Sequence, residues 1–127
     1  MNYRGHWAVM NFGYWAVEEK SSGLYIGDVG FSDFKREIVP SIEGLPELGW
    51  VIAPSHHAKG FATEAVGAAV QWGVLNFARV LPKIDRMVCM IAPENASSLR
   101  VASKCGFIEY LRTKFQDSDS IMFQRRL

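Results

Sequence analysis

The sequence predicts an α/β domain in which a mixed β-sheet carries helices on its surface. Three observations lead there. Strand-like runs outnumber helical ones and follow the order ββ–β–α–β–α–ββ. The middle of the chain, 47–91, reads as strand, short loop, long helix and strand, which is one parallel crossover. At 127 residues with 49% apolar and 21% charged composition, the chain fits one globular domain, 1–127.

The elements follow in chain order. Residues 14–20 (YWAVEEK) have strand character, 21–23 (SSG) form a turn, and 24–34 (LYIGDVGFSDF) resume a strand, giving a hairpin. Gly27 and Gly30 inside the second run mark a bulge or a close backbone approach. Residues 35–46 contain Pro40, Gly44 and Pro46 and read as a loop. In 47–53 (ELGWVIA) the side chains alternate. Leu48, Trp50 and Ile52 form a bulky face for the core, while Glu47, Gly49, Val51 and Ala53 form a small face bearing one carboxylate.

Residues 55–60 are a short polar loop. The main helix is expected over 61–78, with Ala62, Ala65, Val66, Ala69, Trp72 and Leu75 on the apolar side and Glu64, Gly67 and Gln71 on the polar side. Gly67 costs about 1 kcal/mol against alanine in a helix interior, which suggests close packing there. A strand over 84–91 precedes a second helix that Asn95 caps and that runs to Cys105. Gly106 occupies the left-handed position beyond the helix end, and Phe107 supplies the apolar follow-on. The last two strands are expected at 107–113 and 121–125, around a polar turn at 116–119.

Composition narrows the function. Fourteen Lys+Arg against 13 Asp+Glu give a formal charge of +1, so no global field draws the chain to nucleic acid or anionic lipid. Thr63, Glu64, Gln71, Asn76 and Arg79 interrupt the longest apolar stretch, 61–80, which makes it a poor membrane span. The amino end lacks the apolar core of a secretory signal. Cys89 and Cys105 lie in no Cys-x-x-Cys motif and read as two buried free thiols in a reducing, cytoplasmic setting. His56, His57 and the distant His6 do not make a zinc pattern, so no metal is expected.

Two segments carry chemistry. The first is the strand–loop–helix 47–65 (ELGWVIAPSHHAKGFATEA). Its loop aims unpaired amides and the positive end of a helix dipole at one point, an arrangement suited to a pyrophosphate as well as to an ordinary turn. It is neither a P-loop nor a dinucleotide fingerprint. The second is 93–107 (PENASSLRVASKCGF), where Asn95 and Gly106 have structural roles that leave the hydroxyls of Ser97 and Ser98 unexplained.

Together these segments resemble the GNAT N-acetyltransferase superfamily, closest to the branch containing the ribosomal-protein N-terminal acetyltransferases. The family loop runs Gln/Arg-x-x-Gly-x-Gly/Ala; here it is His57-Ala58-Lys59-Gly60-Phe61-Ala62, with His at the first position. The run Asn95, Ser98, Arg100, Val101, Lys104, Gly106, Phe107 also matches the branch, and 13–30 resembles its central hairpin.

The resemblance implies a transfer of acetyl from acetyl-CoA to a primary amine, either a protein N-terminus or a small molecule. The pantetheine arm would lie along Val51 and Ala53. The pyrophosphate would sit on Lys59, Gly60, Phe61 and Ala62, with Thr63 adding a hydroxyl. Glu47 is the candidate general base, with Asp33 and Glu43 as alternatives. A backbone amide near Val51 would polarise the thioester carbonyl. The tyrosine many relatives use as acid corresponds to Ala102, so Ser98, supported by Asn95, is the candidate hydrogen-bond donor to the leaving thiolate. The alternative function is a non-catalytic acyl-CoA-binding or protein-interaction module that keeps the fold. Relatives also begin with a strand and two helices that here are expected to be largely missing. That leaves either an open acceptor site or an apolar flank (Trp7, Phe12, Tyr14, Trp15) covered by a second copy in a homodimer.

Overall fold

The structure is a computed structural model that describes residues 2–7, 13–32, 42, 44–80 and 84–127. Seven strands and two α-helices appear among them. The strands are β1 (Asn2–Trp7), β2 (Gly13–Glu18), β3 (Tyr25–Ser32), β4 (Glu47–Ile52), β5 (Arg86–Ile91), β6 (Ile108–Phe115) and β7 (Ser118–Arg126). The helices are α1 (Phe61–Val80) and α2 (Ala96–Lys104). All seven strands join one sheet in the order β1-β2-β3-β4-β5-β7-β6. Only β4 and β5 run parallel, as a right-sized crossover through α1 requires.

The mixed α/β architecture is the one expected, with one correction at the amino end. A first strand is present: β1 pairs antiparallel with β2 from Asn2↔Glu18 to Trp7↔Gly13. Its residues do alternate, polar Asn2, Arg4 and His6 with Tyr3, Gly5 and Trp7, a strand signal that the expectation of a missing opening unit passed over. Of the aromatics expected on an exposed flank, Trp15 and Tyr14 are only half exposed. Trp15 sits edge-on to Trp72 with centroids 5.5 Å apart and packs against the main core. Phe12 and the Trp7 side chain lie outside the described residues.

Parity sorts the side chains. On β4, Leu48 and Ile52 are buried under the helices, with Trp50 packed against them. On β5, Met87, Cys89 and Ile91 join the same core, which also takes Ala65, Val66, Ala69 and Val70 of α1 and Val101 and Ala102 of α2. Val88 and Met122 point to the opposite face and form a second cluster with Ile42. Cys89 and Cys105 are both free thiols, Cys89 buried and Cys105 half-buried, and burial pushes both thiols up.

Gly27 and Gly30 mark both features expected of them. The β2–β3 register shifts between Val17 and Glu18, opposite residues 25–27. A methyl at Gly27 would collide with the Val51 carbonyl, and one at Gly30 with the backbone of residues 13 and 14. The main helix runs two residues beyond its expected end. Its Gly67, expected to mark close packing, instead faces open space, with no heavy atom within 4 Å of a built Cβ. Gly67→Ala should therefore raise stability by about 1 kcal/mol through helix propensity alone. A urea titration would read this, and a loss of stability would show that the space is used.

α2 begins and ends as its sequence directs. Asn95 Oδ1 accepts from the Ser98 N–H at 3.2 Å. At the far end, Gly106 adopts φ +88° while Phe107 N–H reaches Ala102 O (3.0 Å) and Gly106 N–H reaches Ser103 O (3.2 Å), a Schellman closure. The β6–β7 turn is tighter than expected. Gln116 and Asp117 both take positive φ (50° and 64°), so pairing continues to Phe115↔Ser118 and the last strand starts three residues early.

Candidate active site: a groove between parting strands

β4 and β5 meet at one bridge and then separate. The bridge is Glu47↔Val88, with Val88 N–H donating to Pro46 O at 3.0 Å. Beyond it, the β4 edge facing β5 has no strand partner among the described residues. A groove of about 560 Å³ opens there. Its floor is Trp50, Val51 and Ile52; one wall is the loop and helix start from Pro54 to Thr63; the other is α2, through Asn95, Ser97, Ser98, Arg100 and Lys104.

The loop end of the groove is made by backbone. After the 3₁₀ turn Pro54–His56, His57 is extended, Ala58 turns left-handed (φ 60°) and Gly60 does so again (φ 81°). Glycine adopts this conformation freely, whereas Ala58 gives up roughly 1–2 kcal/mol. The first helical bond runs from Glu64 N–H to Gly60 O (3.0 Å). The amides of Lys59, Gly60, Phe61, Ala62 and Thr63 make no backbone hydrogen bond among the described residues. They form a concave donor set at the positive end of α1. Gly60, Phe61, Ala62 and Thr63 line the groove. Lys59 does not: it is exposed, and its charge bears instead on Glu19.

The strand register corrects the backbone assignment on β4. Ala53 N–H donates to Ile26 O at 2.7 Å, so the 26/53 pair is hydrogen-bonded. In an antiparallel ladder every second pair is of this kind, which includes Asp28↔Val51. The main-chain groups of Val51 and the Ala53 N–H therefore face β3, the Ala53 carbonyl accepts from His56 N–H at 2.9 Å, and Ala53 does not line the groove. The groups turned to the gap belong to Trp50 and Ile52. Side-chain parity, which singled out Val51, and hydrogen-bond parity describe perpendicular directions. Val51 keeps its place on the groove floor, with its side chain 69% exposed.

On the α2 wall, Asn95 Oδ1 is occupied as the helix cap and also accepts from Ser97 Oγ at 3.2 Å. Ser98 Oγ makes no hydrogen bond among the described residues and faces the groove. The structure thus places Ser98 and Asn95 together, Asn95 acting on the Ser98 backbone.

Glu47 is buried, 4% exposed, at the parting point of the strands. It does not line the groove. It lies three residues before Trp50, about 10 Å along the strand. Its neighbourhood contains a residue the sequence did not flag. Tyr110 on β6 has a buried hydroxyl without a hydrogen-bond partner, and the Arg86 guanidinium lies 5.6 Å from its ring centre. Burial raises the Tyr110 phenol, Arg86 opposes the rise, and Cys89 and Glu47 add to it. Asp33 and Glu43, the alternative bases, lie outside the described residues. No group of three or more His, Cys, Asp or Glu suited to a metal ion occurs among the described residues.

The two histidines are tied in opposite directions. His56 Nδ1 contacts Ser55 Oγ at 2.8 Å, and its Nε2 lies 3.6 Å from Glu19 Oε1. Glu19 is held below the usual carboxylate range, first by the Ser22 hydroxyl and further by His56 and Lys59. His57 Nε2 lies 2.6 Å from the Ile52 carbonyl.

A mixed sheet that splits beside a helix start puts an open strand edge and an anion-binding end into one groove. The chain belongs to the acetyltransferase (GNAT) domain family, whose model it matches over residues 1–108. It is 32% identical over 102 residues to the uncharacterized protein YkkB of Bacillus subtilis, covering 78% of this chain and 52% of that one. It therefore spans about half the length of that curated relative. A GNAT-family acetyltransferase structure from Bordetella pertussis superposes with a TM-score of 0.82 at 28% identity, covering 94% of this chain and 68% of that one. The ribosomal-protein-S5-alanine acetyltransferase of Vibrio fischeri shares the fold, with a TM-score of 0.70 at 21% identity over 91% of this chain and 61% of that one.

Proposed function

We propose that the chain is an acetyl-CoA-dependent N-acetyltransferase acting on a primary amine, either a protein N-terminus or a small molecule. The observation that carries this reading is the groove itself. It runs from an open β4 edge to the free amides at the start of α1. An extended, amide-bearing arm fits the first part and a pyrophosphate the second. Trp50 and Ile52 face the arm. Gly60, Phe61, Ala62 and Thr63 hold the phosphates through charge-assisted hydrogen bonds.

The reaction is a direct transfer. An uncharged amine attacks the thioester carbonyl carbon, the C–N bond forms, the C–S bond breaks, coenzyme A leaves as thiolate, and the second proton that the nitrogen must shed passes through solvent to that thiolate, giving the neutral amide and the free thiol. Glu47 accepts the proton of the ammonium through water, because the carboxylate is too far along the strand to reach the amine directly. A gap-facing N–H of Trp50 or Ile52 stabilises the carbonyl oxygen as charge develops on it. The Ser98 hydroxyl donates a hydrogen bond to the sulfur; as a weak acid it stabilises the thiolate rather than protonating it. Asn95 fixes the turn on which Ser98 stands.

The second reading, a non-catalytic acyl-CoA-binding module, draws on one observation: Glu47 is buried and apart from the groove lining. The decisive experiment is a thiol-release assay with acetyl-CoA across a panel of amines and N-terminal peptides. Thiol release above background with one acceptor class supports the enzyme. Binding without release with any acceptor supports the module. Acetyl-CoA at 100 times its Kd should stabilise the protein by about 2.7 kcal/mol, readable as a thermal shift, and no shift would exclude both readings. A cytoplasmic location, where acetyl-CoA is available, and a homodimer belong to the same proposal. Sedimentation tests the dimer.

A further inference from the structure

We propose that His57 is a positioning residue that latches the phosphate loop to the end of β4 and so sets the affinity for the acyl carrier. The inference rests on the acetyl-CoA reading above. It starts from a departure in the sequence, since the loop motif has His57 where Gln or Arg is expected. The structure gives that histidine a task. Its Nε2 stands 2.6 Å from the Ile52 carbonyl. A carbonyl only accepts, so Nε2 carries the proton and donates.

The loop needs such a bond. His57 N–H to Pro54 O (3.2 Å) is the last backbone bond before the helix begins at Glu64 N–H to Gly60 O. Between them the chain passes through left-handed Ala58, an unfavourable conformation for a residue with a Cβ. Nothing in the loop backbone opposes relaxation of Ala58, which would scatter the amides. The imidazole closes a ring from residue 57 back to residue 52. It fixes the loop relative to the strand that bears the thioester.

The same bond decides which β4 groups a cofactor can use. Ile52 O is one of the main-chain groups turned to the open gap. His57 occupies it, which leaves the Ile52 N–H and the Trp50 groups for the ligand. The latch therefore sets the register of the arm along the strand as well as the shape of the cradle.

His57 is exposed, so its replacement leaves the core intact. The test compares wild type, His57→Ala and His57→Gln for coenzyme A binding by calorimetry, for acetyl-CoA kinetics and for melting temperature. Glutamine keeps an N–H donor at similar reach, whereas alanine does not. For His57→Ala we expect at least tenfold weaker coenzyme A binding, a matching rise in KM for acetyl-CoA, kcat within twofold and an unchanged melting temperature. His57→Gln should return binding to within threefold of wild type. Binding by His57→Ala within twofold of wild type would overturn the latch, as would a His57→Gln variant no tighter than the alanine variant. Wild-type protein that does not bind coenzyme A would overturn the acetyl-CoA reading itself, a distinct result from a wild type that binds and an alanine variant that binds equally well.

Discussion

Glu47→Gln should lower the rate of acetyl transfer about 10²–10⁴-fold at pH 7 while leaving coenzyme A binding within twofold of wild type. The separation follows from position. Glu47 lies at the bridge where β4 and β5 part, and the groove is lined from Trp50 onward. In the proposed mechanism the substitution removes the proton acceptor and leaves the loop amides at the start of α1 untouched. The defect should shrink as pH rises towards the pKa of the acceptor amine, because more of the amine then arrives without its proton. Glutamine has nearly the same volume, so the melting temperature should report any separate structural cost at this buried site. Wild-type turnover in the variant would remove Glu47 from the mechanism.

Phe31→Ala should cost about 3–5 kcal/mol of folding stability. Phe31 is fully buried on β3. It meets Phe77 edge-on at 4.8 Å and Trp72 at 6.4 Å between centroids, and its ring tip lies 3.2 Å from the Cβ position of Gly73. Gly73 gives α1 the close approach that Gly67 does not need. Truncating the ring opens a cavity under α1, the helix whose amino end lines the groove. The melting temperature should fall on the order of 10–20 °C for a chain of this size. Phe31→Leu should recover much of the loss. A cost below about 1 kcal/mol for alanine would mean that α1 is held on the sheet by other contacts.

Local rules and tertiary pairing contributed differently to this protein. Elements whose identity rests on near neighbours were legible. Asn95 caps α2 and Gly106 ends it because both effects need only a few consecutive residues. The β4 face that enters the core was legible because side chains alternate along any strand. Gly60 was legible for a similarly local reason, its left-handed backbone, whereas Gly27 and Gly30 announced a close approach whose partners, Val51 and residues 13 and 14, only the sheet supplies.

What needed the assembled sheet was different in kind. Strand β1 exists through its pairing with β2, and its residues carry no pattern that predicts a partner. The direction of the β4 main-chain groups depends on which pairs with β3 are hydrogen-bonded, a fact of register that no alternation of side chains contains. It turns the main-chain groups of Trp50 and Ile52, rather than those of Val51, to the gap. The unpartnered Tyr110 hydroxyl near Glu47 and the bond from His57 to Ile52 likewise arise from residues brought together by folding. The sequence alone determined the α/β class, the glycine-bearing loop before α1 and the helix ends around it, because backbone conformation there is set by local sterics. Only the tertiary structure decided where the sheet splits and which groups face the split, because hydrogen-bond pairing between strands is a long-range choice.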